Sequence, residues 1–310
     1  MPKRDIVTIG GSAGSVQLLK SIVKSLPADL PAAVFVVIHL SPRDNSMLAS
    51  VLSTRGGMPV SVAAEGARIE PGRVYVCQRD RHLIVGSDHL HLTRGPKEGL
   101  HRPSINATFR SASAAHRERV VGVLLSGMLD DGASGMWEIA RNGGVTIVQD
   151  PAEALFPSMP QNAIDDAPIH FRARVQDIPA LIVRLVGGED VSDVSAEGED
   201  MERAEKFSGF TCPECRGPLF VSGREPIEFA CRVGHVMPLR TLLEEHTSTQ
   251  ERKLYEAIVA LEEGADLAEY SARELAGVEK DELEKEATQL RRHSKIIREL
   301  IEERSVPPAD

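Results

Sequence analysis

The stretch DIVTIGGSAGSVQLLKSIVKS, residues 5–25, decides the fold class. Its opening, Asp5–Ile9, is a short β-branched apolar run of the kind buried in a parallel sheet. Gly10-Gly11-Ser12-Ala13-Gly14 then turns the chain, and Ser15–Ser25 carries a helical pattern. Strand, glycine-rich turn and helix form the first unit of a doubly wound α/β domain. The alternation recurs. Ala33–Ile38, Val120–Leu125 and Val145–Val148 read as buried strands, and Asn45–Ser53, Ser104–His116 and Ala133–Arg141 read as helices. Gly72–Val76 and Leu83–Val85 look like a hairpin, with Gly86-Ser87-Asp88 leading into His89–Leu92. Asp177–Val186 closes the domain as an amphipathic helix. The expected architecture over residues 1–186 is α/β, with a doubly wound, mostly parallel sheet.

With 310 residues, 42% hydrophobic and 26% charged, the chain has globular usage, which argues against disorder and fibrous structure. No apolar run approaches the roughly 18 residues of a membrane span, and the start MPKRDIVTIG lacks a signal peptide's apolar stretch. The expectation is a cytoplasmic protein with no membrane insertion. The formal charge of −10 argues against general nucleic-acid binding. That charge is uneven. Residues 1–186 hold 20 Lys+Arg against 17 Asp+Glu (+3), and residues 187–310 hold 16 against 29 (−13).

The acidic part divides further. Residues 187–206 read as a solvated linker. Residues 207–238 form a small cysteine-bearing segment with strand-like pieces PLFVS and IEFACR, and residues 239–310 are helical. Steps of four and three run through Leu254, Ile258, Leu261, Ala265, Ala268, Ala272 and Leu275, and again through Leu283, Ala287, Leu290, Ser294, Ile297 and Ile301. Gly277 separates the two runs, which predicts a helical hairpin or a dimer seam. A homodimer through these helices is one expected partner mode.

Gly10–Gly14 has the G-x-S-x-G form that exposes a serine hydroxyl at a strand-to-helix turn. The spacing departs from G-x-G-x-x-G, and the second strand ends in Ile38-His39 with no acidic residue to hold a ribose, so a dinucleotide site falls away. In a parallel sheet, strand ends share one edge. Ser12, His39 and a carboxylate from Asp130-Asp131 therefore supply a nucleophile, a base and a group to orient the base. The plainer alternative makes the serine and the carboxylate helix caps and His39 a loop histidine. His82, His89 and His91 read as hairpin surface, and Cys77 as a small buried residue.

Cys212-Pro213-Glu214-Cys215 is followed by Cys231 and then His235. A C-x2-C pair and a C-x3-H pair give four soft ligands on two turns, which suits structural, tetrahedral zinc. All four positions are filled by protein, so an open catalytic metal is not expected. A redox C-x-x-C is the competing reading. The expected form is a small zinc-ribbon-like module.

Five stretches resemble one family. IVTIGGSAGS, VVIHLSP, HRPSINATFRSAS, VVGVLLSGMLDDGASGM and QDPAEALFPSMPQNAI stand in the order found in the catalytic domain of the chemotaxis protein-glutamate methylesterases, the CheB family. The resemblance covers about residues 4–186. It implies Ser12 as nucleophile, His39 as general base and Asp131, rather than Asp130, as third member. It implies the backbone N–H groups of Ala13 and Met128 as oxyanion donors, and methylated chemoreceptor helices as substrate. The implied reaction is γ-glutamyl methyl ester hydrolysis through an acyl-enzyme, with an associated glutamine deamidase activity. The cysteine segment and helical tail resemble the C-terminal extension of some stand-alone members. Ser15, Asn106 and Cys77-Gln78-Arg79 depart from the family pattern, and the last two are expected to line the substrate groove. No room remains for a receiver domain, so control by phosphorylation is expected to lie off this chain. The second function class is a regulatory binding protein that docks signalling partners through its acidic zinc and helical half.

Overall fold

The computed structural model describes residues 4–39, 48–53, 55–191, 206–222 and 226–304. It divides into two compact units, Met1–Leu242 and Leu243–Asp310.

The first unit is built on a seven-stranded sheet, all of whose described pairings are parallel. β1 (Ile6–Gly11) lies between β2 (Ala33–Ile38) and β7 (Val120–Leu124). β4 (Arg73–Val76) and β3 (Val60–Val62) extend the sheet beyond β2, while β8 (Val145–Gln149) and β9 (Phe171–Ala173) extend it beyond β7. Strand order therefore reverses between β1 and β7, and a doubly wound sheet opens a crevice at the carboxyl ends there.

The strands alternate sides, so each face has its own core. Val7, Ile9, Val34 and Val36 pack under α1 (Ser15–Ser25), α2 (Leu48–Leu52) and α6 (Ile178–Val186). Ile6, Phe35, Val37 and Leu124 pack under α3 (Ile105–His116), α4 (Ala133–Arg141) and α5 (Ser158–Asp166). Completely burying each such side chain stabilises the fold by about 1.5–3 kcal/mol.

The hairpin reading of Gly72–Val76 with Leu83–Val85 is corrected. β4 joins the main sheet beside β2, and the hairpin is β5 (His82–Val85) with β6 (Leu90–Thr93). The apolar run of β4 can be buried on both faces, whereas Gly86 and its neighbours form the true turn. Asn45–Ser53 is described only from residue 48, where α2 lies. Most of the 187–206 linker lies outside the described residues.

The cysteine segment folds as a four-stranded antiparallel sheet of β10 (Lys206–Thr211), β11 (Pro218–Ser222), β12 (Glu228–Cys231) and β13 (Val236–Pro238). Its core is Cys212, Leu219, Phe229, Cys231, Met237 and Leu242. α7 (Leu239–Glu274) follows, then α8 (Val278–Arg304). Gly277 has φ +71°, in the left-handed region that glycine adopts without strain. In the second unit these helices run antiparallel, packing Ala265, Ala268 and Ala287 together. Arg291 pairs with Asp266 and Glu269, and Arg298 with Glu262. Among the described residues, no helix is long and apolar enough to cross a membrane.

Candidate active site

Ser12 follows β1 at the carboxyl edge and is half-buried. Its N–H donates to Ser126 O at 3.0 Å, and its carbonyl accepts from Ser15 Oγ at 2.5 Å. Gly14 (φ +78°) begins α1 with no side-chain cap; the N–H of Ser15 donates to Ser12 O at 3.2 Å, and the helix start still directs its positive end at this edge. The loop after β7 presses on the serine. A Cβ on Gly127 would lie 2.9 Å from Ser12 Cβ and 2.6 Å from Met159 Sδ. Neither Ala13 N–H nor Met128 N–H donates to an acceptor among the described residues.

His39 follows β2, and its backbone N–H donates to Gly11 O at 3.3 Å. Its Nε2 lies 2.7 Å from Asp131 Oδ2, and the two side chains are 8% and 2% exposed. The other ring nitrogen, Nδ1, is buried without a hydrogen-bond partner among the described residues. No Ser12–His39 hydrogen bond is formed, and catalytic hydrogen bonds of this kind tighten in the Michaelis complex.

Asp131 is held by four donors. Oδ2 accepts from His39 Nε2 and from Ile105 N at 2.7 Å; Oδ1 accepts from Ser104 Oγ and Asn106 N, each at 3.0 Å. Burial alone would raise this carboxyl. The His39 hydrogen bond and the α3 N–H donors outweigh it, with the nearness of His39 and His101 acting in the same sense, and hold the group well below the usual carboxylate range. The capping alternative thus holds in part: Asp131 caps α3, not the α4 that it precedes. Asn106 returns the arrangement, its Oδ1 accepting from Gly132 N at 3.0 Å and Gly135 N at 2.8 Å at the start of α4. Asn106 is buried and does not line a groove.

Asp130 points elsewhere, accepting from Thr241 Oγ1 at 2.5 Å. Burial pushes its carboxyl up to about 6. The expectation that His82 sits on the hairpin surface is corrected, because it is buried at 3% exposure. Its Nε2 donates to Pro96 O at 2.9 Å and its Nδ1 accepts from Ser104 N at 3.2 Å, so it ties the hairpin to the start of α3. His91 does stay on the surface, beside Glu65.

Sequence reasoning missed His101 in this site. Its ring is stacked on His39, with centroids 3.7 Å apart and planes 16° from parallel. Burial, then the neighbouring His39, lowers His101 to about 4, so it stays neutral near pH 7. Only its place in the HRPSIN stretch hinted at this. Beside it opens a cleft of about 320 Å³ lined by Ile38, Cys77, Arg79, Lys97, His101 and Arg102. Burial raises the Cys77 thiol to about 12, which makes it inert.

Cys212, Cys215, Cys231 and His235 come together, with ligand atoms all within 4.8 Å of one another. Cys215 Sγ lies 3.6 Å from Cys231 Sγ, and His235 Nδ1 lies 3.8 Å and 3.4 Å from the sulfurs of Cys212 and Cys231. A tetrahedron with bonds of about 2.0–2.3 Å has edges of roughly 3.4–3.8 Å, so the donor set fits zinc. Both turns are closed by backbone bonds, Arg216 N to Cys212 O (2.8 Å) and Gly234 N to Cys231 O (2.9 Å).

Comparison with known proteins finds one family. The CheB methylesterase family pattern matches residues 7–182. A putative protein-glutamate methylesterase/protein-glutamine glutaminase of Leptospira interrogans is 31% identical over 182 residues, covering 58% of this chain and 94% of that protein. Protein-glutamate methylesterase/protein-glutamine glutaminase 2 of Methanosarcina mazei is 36% identical over 165 residues, covering 51% of this chain and 45% of that protein. The chain thus spans about half the length of some curated relatives it matches. The crystal structure of the Thermotoga maritima CheB methylesterase catalytic domain covers 58% of this chain and 98% of that one, with TM-score 0.56 and 28% identity. The family match over residues 7–182 takes in more than half of the chain and spans the doubly wound sheet, and on these grounds the chain belongs to the CheB methylesterase family.

Proposed function

We propose that this chain is a protein-glutamate methylesterase acting on γ-glutamyl methyl esters of chemoreceptor cytoplasmic helices. One observation carries the reading: Asp131 occupies Nε2 of His39 at 2.7 Å, leaving the buried Nδ1 as the ring nitrogen able to take a proton. Ser12 stands on the same sheet edge. Ser12 Oγ attacks the ester carbonyl and His39 takes its proton, with Asp131 stabilising the imidazolium. The N–H groups of Ala13 and Met128 receive the oxyanion. Collapse expels methoxide, which leaves as methanol with the proton from His39. Water, deprotonated by His39, then attacks the acyl-enzyme and releases glutamate and free Ser12. An amide in place of the ester gives the glutaminase reaction, with ammonia leaving.

Cys212, Cys215, Cys231 and His235 would hold a structural zinc, whose contribution is to close the two turns. The reaction belongs in the cytoplasm, where the receptor helices lie. The test is methanol release from a methylated receptor fragment by wild type and Ser12→Ala. Release by wild type with loss of at least about 10³-fold in the variant is expected. Equal behaviour of the two defeats the esterase reading and leaves the binding-protein class.

A further inference from the structure

Both cysteine-bearing turns close on one segment of the first unit, residues 96–100. In the first turn, Glu214, between Cys212 and Cys215, pairs with Lys97 at 2.9 Å. In the second, Gly234 sits against Pro96, since a Cβ there would lie 3.0 Å from Pro96 Cγ. Val236, next to His235, is bridged to the same segment, with Gly99 N donating to Val236 O at 2.7 Å. Leu100 packs into the core of the cysteine module. Beneath the segment, Arg110 of α3 is paired with both Glu98 and Glu228 of β12.

The far end of this strap is His101. Its N–H donates to Glu98 O at 2.9 Å, its carbonyl accepts from Glu98 N at 3.2 Å, and its ring lies on His39. On the other flank, Thr241 from the first turn of α7 binds Asp130, the residue before Asp131. The module therefore holds the strap that ends in His101, beside His39, and the helix that leaves it holds Asp130, beside Asp131.

We propose that the Cys3His module is a positioning element of the active site: with its two turns closed by metal it holds the 96–101 strap, and through His101 it fixes the ring of His39. Glu98, Arg110 and Glu228 are the positioning residues that join module to strap. The kinetic consequence rests on the esterase function proposed above; the structural coupling does not.

The experiment uses the full zinc-loaded chain, the same chain after chelation, and Glu228→Gln with its metal retained. Hydrogen exchange is followed by mass spectrometry, alongside methanol release from a methylated receptor fragment. In both perturbed forms, peptides spanning 96–101 should exchange at least about tenfold faster while β1 and β2 peptides hold. kcat should fall about tenfold or more with KM moved less than about twofold, because a misplaced base acts on the transition state. Unchanged exchange at 96–101 in both forms overturns the proposal. Faster exchange with unchanged kcat also overturns it, because the strap would then only be structural. Should no form release methanol, the esterase reading fails by itself, and exchange at 96–101 alone supports or overturns the coupling.

Discussion

The imidazole of His101 lies flat on that of His39, with ring centroids 3.7 Å apart. The stack limits how far the ring of His39 can swing from Asp131, and the burial that goes with it favours the neutral form of His101. His101 falls from 6.5 to about 4 through burial and the nearby His39. Above pH 6.5 the folded and unfolded states are both neutral and its contribution is complete. As pH falls through 6.5, the unfolded chain binds a proton that the folded chain refuses, and stability drops until about pH 4. The loss is on the order of 2–3 kcal/mol. His101→Phe keeps a flat ring without titrating, so urea midpoints measured from pH 7 to 4 should fall less steeply than in wild type.

Asp131→Asn exchanges an oxygen that accepts for an amide that donates. Four donors converge on this side chain, and the new NH2 must face at least one of them. The expected outcome is a stability loss of about 2–4 kcal/mol and a fall in kcat of about 10³–10⁴-fold. Thermal denaturation and methanol release measure the two.

Asp130 behaves in the opposite sense. Its carboxyl rises from 3.8 to about 6 through burial, so the folded state binds the extra proton and stability declines as pH climbs from 3.8 to 6. Asp130→Asn keeps an acceptor for Thr241 and removes the buried charge. It should stabilise the protein by on the order of 2–3 kcal/mol at pH 7.5, a gain that shrinks toward pH 4. Urea unfolding at the two pH values checks this.

Elemental analysis should give close to one zinc per chain, and Cys215→Ser should lose it. A chelator should lower the melting temperature of the wild-type chain and leave that of the variant unmoved, because a metal that binds only the folded state stabilises it.

Much of this was legible in the sequence. β1, β2, β7 and β8 announce themselves because both faces of each are buried, which demands unbroken apolar runs. The placing of Ser12 and His39 at one edge follows from the turns that end such strands, and the gathering of Cys212, Cys215, Cys231 and His235 from their spacing. β3 and β9 were missed because each has three residues, too few for a pattern. β4 was mispaired because an apolar run before a turn looks alike in a hairpin and in a parallel sheet. The roles of His101, Ser104 and Asn106 were hidden because each depends on a partner far along the chain.

The crossed caps of α3 and α4 carry a last consequence. Asp131 closes the start of α3, and Asn106 closes the start of α4. The carboxylate that would orient the base is thus also the latch between two core helices. One fastening serves both, so a chain with these helices undocked lacks the carboxylate beside His39, and a chain with them docked has it already in place.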